Sequence, residues 1–196
     1  MNDVVIIHGK PSKDVFMNVA YPSPSNLHWY PWLQHELLVR GLHTQTPEMP
    51  IPYVPVYEAW RDTLEQFSLH DQSVLVGHSC GAGFLVRWLS ENPERQLKKV
   101  VLVAPSLGLD WDARGFFDFT INPALQSAVK EVVILVAKDD REGIQNAVKQ
   151  IAARGDVKEV WLNPGADGPE VIAEAERLAV PFVQACAIMD VGSMPD

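Results

Sequence analysis

Five short runs of apolar, mostly β-branched residues punctuate the chain: residues 4–8 (VVIIH), 73–78 (SVLVGH), 99–104 (KVVLVA), 132–137 (VVILVA) and 158–162 (KEVWL). Each is bounded by loop residues, the pattern of a strand covered on both faces. Between them apolar residues recur at helical spacing. Ile144, Val148 and Ile151 share one face ahead of a stop at Arg154-Gly155, and Val171, Ala175, Leu178 and Phe182 share another. Further helices are predicted over residues 33–40, ended by Gly41, over 57–67 and over 82–89. Parallel neighbours need crossover connections, and crossovers put helices on the faces of a sheet. The expected fold class is therefore α/β, a doubly wound and mainly parallel sheet with helices on both faces and little or no cap.

Ligands of such sheets sit beyond the carboxyl ends of the strands. The residues to inspect are thus 8–10, 78–80, 104–106, 138–140 and 163–165. Two segments lack periodicity. Residues 11–26 form a long connection of the kind that tends to be functional or mobile. Residues 47–55 hold four prolines in nine positions and are expected to run extended over the surface. Residues 1–190 read as one domain and 191–196 as a frayed tail.

Charge narrows the partners. A formal net charge of -9 without any Lys/Arg run argues against nucleic acid or an anionic membrane surface and for small molecules or proteins, a homodimer included. No stretch approaches the roughly 20 apolar residues of a bilayer span. The first residues carry an acid where a secretory signal would carry bases, so a cytoplasmic location is expected. Cys80 and Cys186 cannot build a disulfide framework, and no metal or cofactor is expected.

The strongest local signal is Gly77-His78-Ser79-Cys80-Gly81, a G-x-S-x-G pattern that follows a predicted strand and opens a predicted helix. A tight turn there, flanked by glycines because side chains would clash, lifts the Ser79 hydroxyl out of the sheet as a nucleophile. The Cys80 N–H then faces the place where a carbonyl oxyanion forms. The Lys10 amide, after His8-Gly9 at the end of the first strand, is the candidate second donor. The His8 side chain reads as a hydrogen-bonded structural imidazole. In this architecture chain order runs serine, acid, histidine. Asp140 takes the acid position, with Asp139 as the alternative.

The pattern then breaks. The histidines are His8, His28, His35, His43, His70 and His78, so none follows Ser79. Without an imidazole to take its proton, a serine hydroxyl is a poor nucleophile. His28 could serve as a substitute base if the 11–26 segment folds inward, and Lys10 could serve as a Ser-Lys base, whereas His78, adjacent to Ser79 in a strand, should point away.

Residues 5–9 (VIIHG), 28–33 (HWYPWL), 47–50 (PEMP), 76–81 (VGHSCG), 115–117 (GFF) and 138–140 (KDD) make the chain resemble the small YdeN-type and retinoblastoma-binding-protein-type serine hydrolases of the α/β-hydrolase superfamily. The similarity covers almost the whole length. It implies a cytoplasmic serine hydrolase, a carboxylesterase on small acyl substrates, with Ser79 as nucleophile and Asp140 as acid. The histidine of those proteins falls on Ala166 here, a departure that bears on activity and leaves the fold intact. The alternative is a catalytically inactive hydrolase fold that binds a small ligand or a partner protein. His28, Trp29, Phe116 and Phe117 are candidate walls of an apolar acyl pocket.

Overall fold

The structure, a computed structural model, describes residues 3–108, 115–137, 140–153, 159–162, 173, 177 and 182–184. Seven strands form one parallel sheet: β1 (Asp3–Ile7), β2 (His43–Gln45), β3 (Val74–His78), β4 (Lys99–Val103), β5 (Val132–Val136), β6 (Glu159–Leu162) and β7 (Phe182–Gln184). Their spatial order is β2-β1-β3-β4-β5-β6-β7. The helices are α1 (Lys13–Met17), α2 (Tyr30–Val39), α3 (Tyr57–Leu64), α4 (Cys80–Glu91), α5 (Leu125–Ala128) and α6 (Glu142–Ala152). The doubly wound α/β architecture is the one the alternation of apolar runs implies.

The sheet alternates its side chains between two apolar layers. Val4, Ile6 and Val76 face one side, where Tyr30, Leu33 and Leu37 of α2 cover them. Val5, Ile7, Leu75, Val100, Leu102 and Ile134 face the other, against Trp60 and Leu64 of α3, Phe84, Leu85 and Trp88 of α4, and Ile144 and Ile151 of α6. Burying aliphatic side chains such as these contributes roughly 1.5–3 kcal/mol each. Both faces of β1 and β3 are consumed in this way, which fixes their register and leaves only their carboxyl ends for chemistry.

Helix α2 begins with Pro31 in its first turn, where a missing N–H costs nothing. It ends as Gly41 implies. That residue has φ +77, the Leu42 N–H bonds to the Leu37 carbonyl and the Gly41 N–H to the Leu38 carbonyl, both at 2.9 Å. This paired closure needs a left-handed residue, which glycine adopts without strain.

Two expectations are corrected, on Phe182 and on residues 47–55, and two segments carry elements that the apolar pattern does not announce. The three-residue strand β2 has one buried residue, Thr44, between two exposed ones, too short and polar for an apolar run. Phe182 belongs to β7 and not to a helix face; one aromatic at helical spacing also suits a strand. Val171, Ala175 and Leu178 of that proposed face lie outside the described residues, although Ala173 and Arg177 are helical. Residues 47–55 do not run extended over the surface. They bend into a turn closed by the Val54 N–H on the Ile51 carbonyl, with Met49 only 2% exposed. Segment 11–26 carries α1, capped by Ser12, and a short 3-10 turn over Pro24–Asn26.

Candidate active site

Ser79 joins β3 to α4 with φ +52 and ψ -116. A non-glycine residue at positive φ is strained and persists only where its surroundings impose it. The surroundings are explicit. Its N–H bonds to the Val103 carbonyl at 2.8 Å, and its carbonyl accepts from Gly83 and Ser106 at 3.1 and 3.0 Å. Gly77 and Gly81 allow the approach. A Cβ on Gly77 would sit 2.6 Å from Ala82 Cα, and one on Gly81 would sit 2.5 Å from the Ile7 and His8 carbonyl oxygens. The Gly83 bond to Ser79 is the first of the helix, so the amides of Cys80, Gly81 and Ala82 have no acceptor within it. They end a helix at its electropositive terminus, a suitable environment for a developing oxyanion.

The Cys80 side chain is 1% exposed. Burial pushes its thiol well above the ordinary range, and the Lys10 ammonium opposes this only in part. Cys80 therefore offers the site its backbone and not a thiolate. Lys10 is exposed, directly after Gly9. The Cβ direction of Gly9 comes within 3.3 Å of both Ser79 Cβ and His78 Nδ1. The first-strand turn thus lies beside the nucleophile position.

Three histidines meet at this carboxyl edge. His8 is 0% exposed, with Nδ1 at 2.8 Å from the Gly9 carbonyl and Nε2 accepting the Met49 N–H at 3.0 Å. Glu48 lies 3.6 Å from the same Nε2. That contact is made by Oε2, while Oε1 of the same carboxylate accepts the Ser25 N–H and hydroxyl at 3.1 and 2.5 Å. Burial lowers the pKa of His8, so it is a neutral hydrogen-bonding group rather than half of an ion pair. His78 lies 2.6 Å through Nδ1 from the Tyr30 hydroxyl, which accepts the Gly9 N–H at 3.2 Å. Burial, aided by His28 and His8, holds His78 down at about 4. His28 is exposed, at φ +56, with its ring 5.8 Å from that of Tyr30 and 5.7 Å from that of His78. The other described histidines do not approach the site through these contacts: His43 and His70 bond Asp3 at the amino end of β1, and His35 lies exposed on α2.

Asp140 follows β5, two strands from β3 and hence about 10 Å across the sheet. Its Oδ2 accepts the Ala137 N–H at 2.7 Å, and its carbonyl accepts from Gln145 at 2.9 Å. The cap of α6 is Arg141, so this carboxylate does not serve as the helix cap. Asp139 and Ala166 lie outside the described residues. Of the aromatic candidates, Trp29 is half-buried and packs its ring on Tyr30 and His78 at 4.6 and 5.7 Å. Phe117 is half-buried beside Gly83. Phe116 is 1% exposed, enclosed by Trp60, Phe84 and Phe117, and so forms packing under the site rather than an open wall. Sequence reasoning names Tyr30 only as a possible pocket aromatic and does not anticipate its hydrogen bond to Gly9 or that of Met49 to His8, contacts that span 21 and 41 residues. Among the described residues no group of three or more His, Cys, Asp or Glu is arranged to hold a metal, and no helix is long and apolar enough to cross a membrane.

Comparison with known proteins bears on the family and the fold. A family model described as serine hydrolase matches residues 20–166. YdeN of Bacillus subtilis strain 168 is 33% identical over 140 residues, covering 66% of this chain and 72% of YdeN. The crystal structure of the B. subtilis ydeN gene product superposes with a TM-score of 0.68 at 25% identity, over 91% of this chain and 99% of that one. Est1E from Butyrivibrio proteoclasticus shares the fold with a TM-score of 0.56 at 14% identity, over 90% and 85% of the two chains. The chain belongs to the serine hydrolase family, of the small YdeN type, and has the α/β-hydrolase fold.

Proposed function

We propose that this protein is a serine esterase that accepts the acyl group of small esters on the Ser79 hydroxyl and passes it to water. The observation that carries the reading is the strained Ser79 backbone, φ +52, at the joint of β3 and α4. In this reading Oγ attacks the ester carbonyl, and the oxyanion forms beside the Cys80 and Lys10 amides. The C–O bond to the alcohol breaks, the alcohol leaves with the serine proton, and water releases the acid. Asp140 is the acid of the site, and Trp29 and Phe117 flank the acyl group.

No histidine follows residue 78. Loss of a triad member lowers turnover on the order of 10⁴-fold while leaving oxyanion and binding contributions in place. The same observation favours a second reading, a hydrolase fold that binds acyl ligands without turnover. A fluorophosphonate probe tests the first. Covalent labelling of the wild type that is absent in Ser79→Ala is expected, and no labelling at high probe concentration would remove it. Hydrolysis of p-nitrophenyl acetate separates the two: measurable Ser79-dependent release supports the esterase, whereas thermal stabilisation by the ester without release supports the binding protein.

A further inference from the structure

The Lys10 amide is one edge of the Gly9–Lys10 peptide, and the opposite edge is held by a side chain. His8 Nδ1 lies 2.8 Å from the Gly9 carbonyl oxygen, while Nε2 faces the Met49 N–H at 3.0 Å. A backbone N–H can only donate. Nε2 must therefore be the lone-pair nitrogen, and Nδ1 carries the proton that it donates to the Gly9 carbonyl. In a planar trans peptide the C=O and N–H bonds point in opposite directions, and no cis peptide occurs among the described residues. Fixing the carbonyl on the buried ring turns the Lys10 N–H away from that ring.

The preceding peptide is fixed as well. The Gly9 N–H donates to the Tyr30 hydroxyl at 3.2 Å, and that hydroxyl, 1% exposed as a residue, lies 2.6 Å from His78 Nδ1. Glycine would otherwise leave this turn free to choose among backbone conformations. Two core side chains remove that freedom at a point 3.3 Å, by its Cβ direction, from Ser79 Cβ.

We propose that His8 is a positioning residue for acyl chemistry at Ser79: by clamping the Gly9 carbonyl through Nδ1–H, it aims the Lys10 N–H at the oxyanion of the reacting ester. His8 touches no substrate atom; it acts through the peptide that it orients. The inference rests on the esterase reading of Ser79, and its test separates the two.

Asparagine places an amide nitrogen near the Nδ1 position of a histidine, and glutamine places its terminal atoms near Nε2. His8→Asn therefore keeps the clamp and loses the Met49 acceptor, whereas His8→Gln keeps the acceptor and loses the clamp. A purely structural imidazole predicts equal effects, or a worse one for Asn. The proposal predicts that the limiting rate of fluorophosphonate labelling falls on the order of 10-fold or more in His8→Gln, at unchanged probe affinity. In His8→Asn that rate is retained within about threefold, well short of the loss of an oxyanion donor. Equal limiting rates in the two variants would overturn it. Two measurements do not depend on reactivity. Imidazole nitrogen shifts of wild-type His8 should report the Nδ1–H tautomer, and an Nε2–H tautomer would overturn the proposal even if both variants failed to fold. The residual dipolar coupling of the Lys10 N–H should move in His8→Gln and stay in His8→Asn; no movement would also overturn it. Absence of labelling in the wild type would remove the esterase reading instead, leaving the tautomer and the N–H vector to decide the clamp.

Discussion

The two edges of the parallel sheet use histidine in opposite ways. At the amino edge Asp3 accepts from His43 at 3.1 Å and His70 at 2.8 Å, with the Asp3 side chain 28% exposed and the histidines 51% and 39%. At the carboxyl edge His8 and His78 are shielded and neutral, and each is held by a hydroxyl or backbone partner. Backbone strain follows the same division. His28, Ser79 and Ala104 have positive φ at or beside the carboxyl ends of strands, and Ile51 follows the Met49 that His8 holds. Exposed ion pairs tolerate movement and are worth little, whereas buried neutral hydrogen bonds fix one geometry. Among the described residues, an arrangement able to orient amides around a carbonyl is therefore built at the carboxyl edge and not at the amino edge.

The largest effect should come from breaking the contact between that edge and α4. In Gly81→Ala the new methyl would lie 2.5 Å from two backbone oxygens, those of Ile7 and His8, and neither can swing aside. A loss of about 3 kcal/mol or more is expected from urea unfolding. Gly41→Ala is the control, since its φ of +77 strains alanine but nothing lies within 4 Å; about 1 kcal/mol is expected there. If Gly81→Ala cost no more than Gly41→Ala, the docking of α4 on β1 would be wrong.

Acid should act on the carboxyl edge next. Burial holds the folded pKa of His78 down at about 4, against 6.5 for the unfolded residue, and that of His8 is also lowered. Between those values the unfolded chain binds protons that the folded chain refuses, so stability falls as pH drops through that window. For His78 alone the loss is on the order of 3 kcal/mol by pH 4. Unfolding free energies at pH 7, 5.5 and 4.5 should show the decline, and His78→Gln should flatten it. A profile that the substitution leaves unchanged would remove His78 as the cause.

How legible each edge is in the sequence follows from how local its determinants are. Strands β1 and β3 to β6 announce themselves because burial on both faces demands unbroken apolar runs such as VVII and VVILV. The nucleophile turn is legible because strand, glycine, serine and helix lie within a few residues. Strand β2 carries too few residues for any period, and the 47–55 turn defeats a composition argument because Met49 is anchored by His8 rather than by its neighbours. The clamp joins neighbours, His8 and Gly9, but it is illegible because the groups that set its tautomer and hold the turn, Met49 and Tyr30, come from other segments. Asp140 could be read as an acid after a buried strand, but its bond to the Ala137 amide could not.

The smallest effect belongs to the amino edge. The hydrogen bond from His70 holds the Asp3 carboxyl below its ordinary value against the opposing effect of burial, with His43 adding to the lowering. A depressed carboxylate stabilises the folded state above its unfolded pKa, and that contribution fades as pH falls through the folded value. At neutral pH the contribution is small, because all three groups meet water, which weakens their attraction. Asp3→Asn should therefore cost less than about 1 kcal/mol at pH 7. Part of that difference should vanish in high salt, which screens exposed charges. Fluorophosphonate labelling of Ser79 should be unchanged, since the substitution lies at the far end of β1. A labelling rate that fell with Asp3→Asn would show that the two edges are mechanically coupled through β1, and that the division between them is one of chemistry rather than of independence.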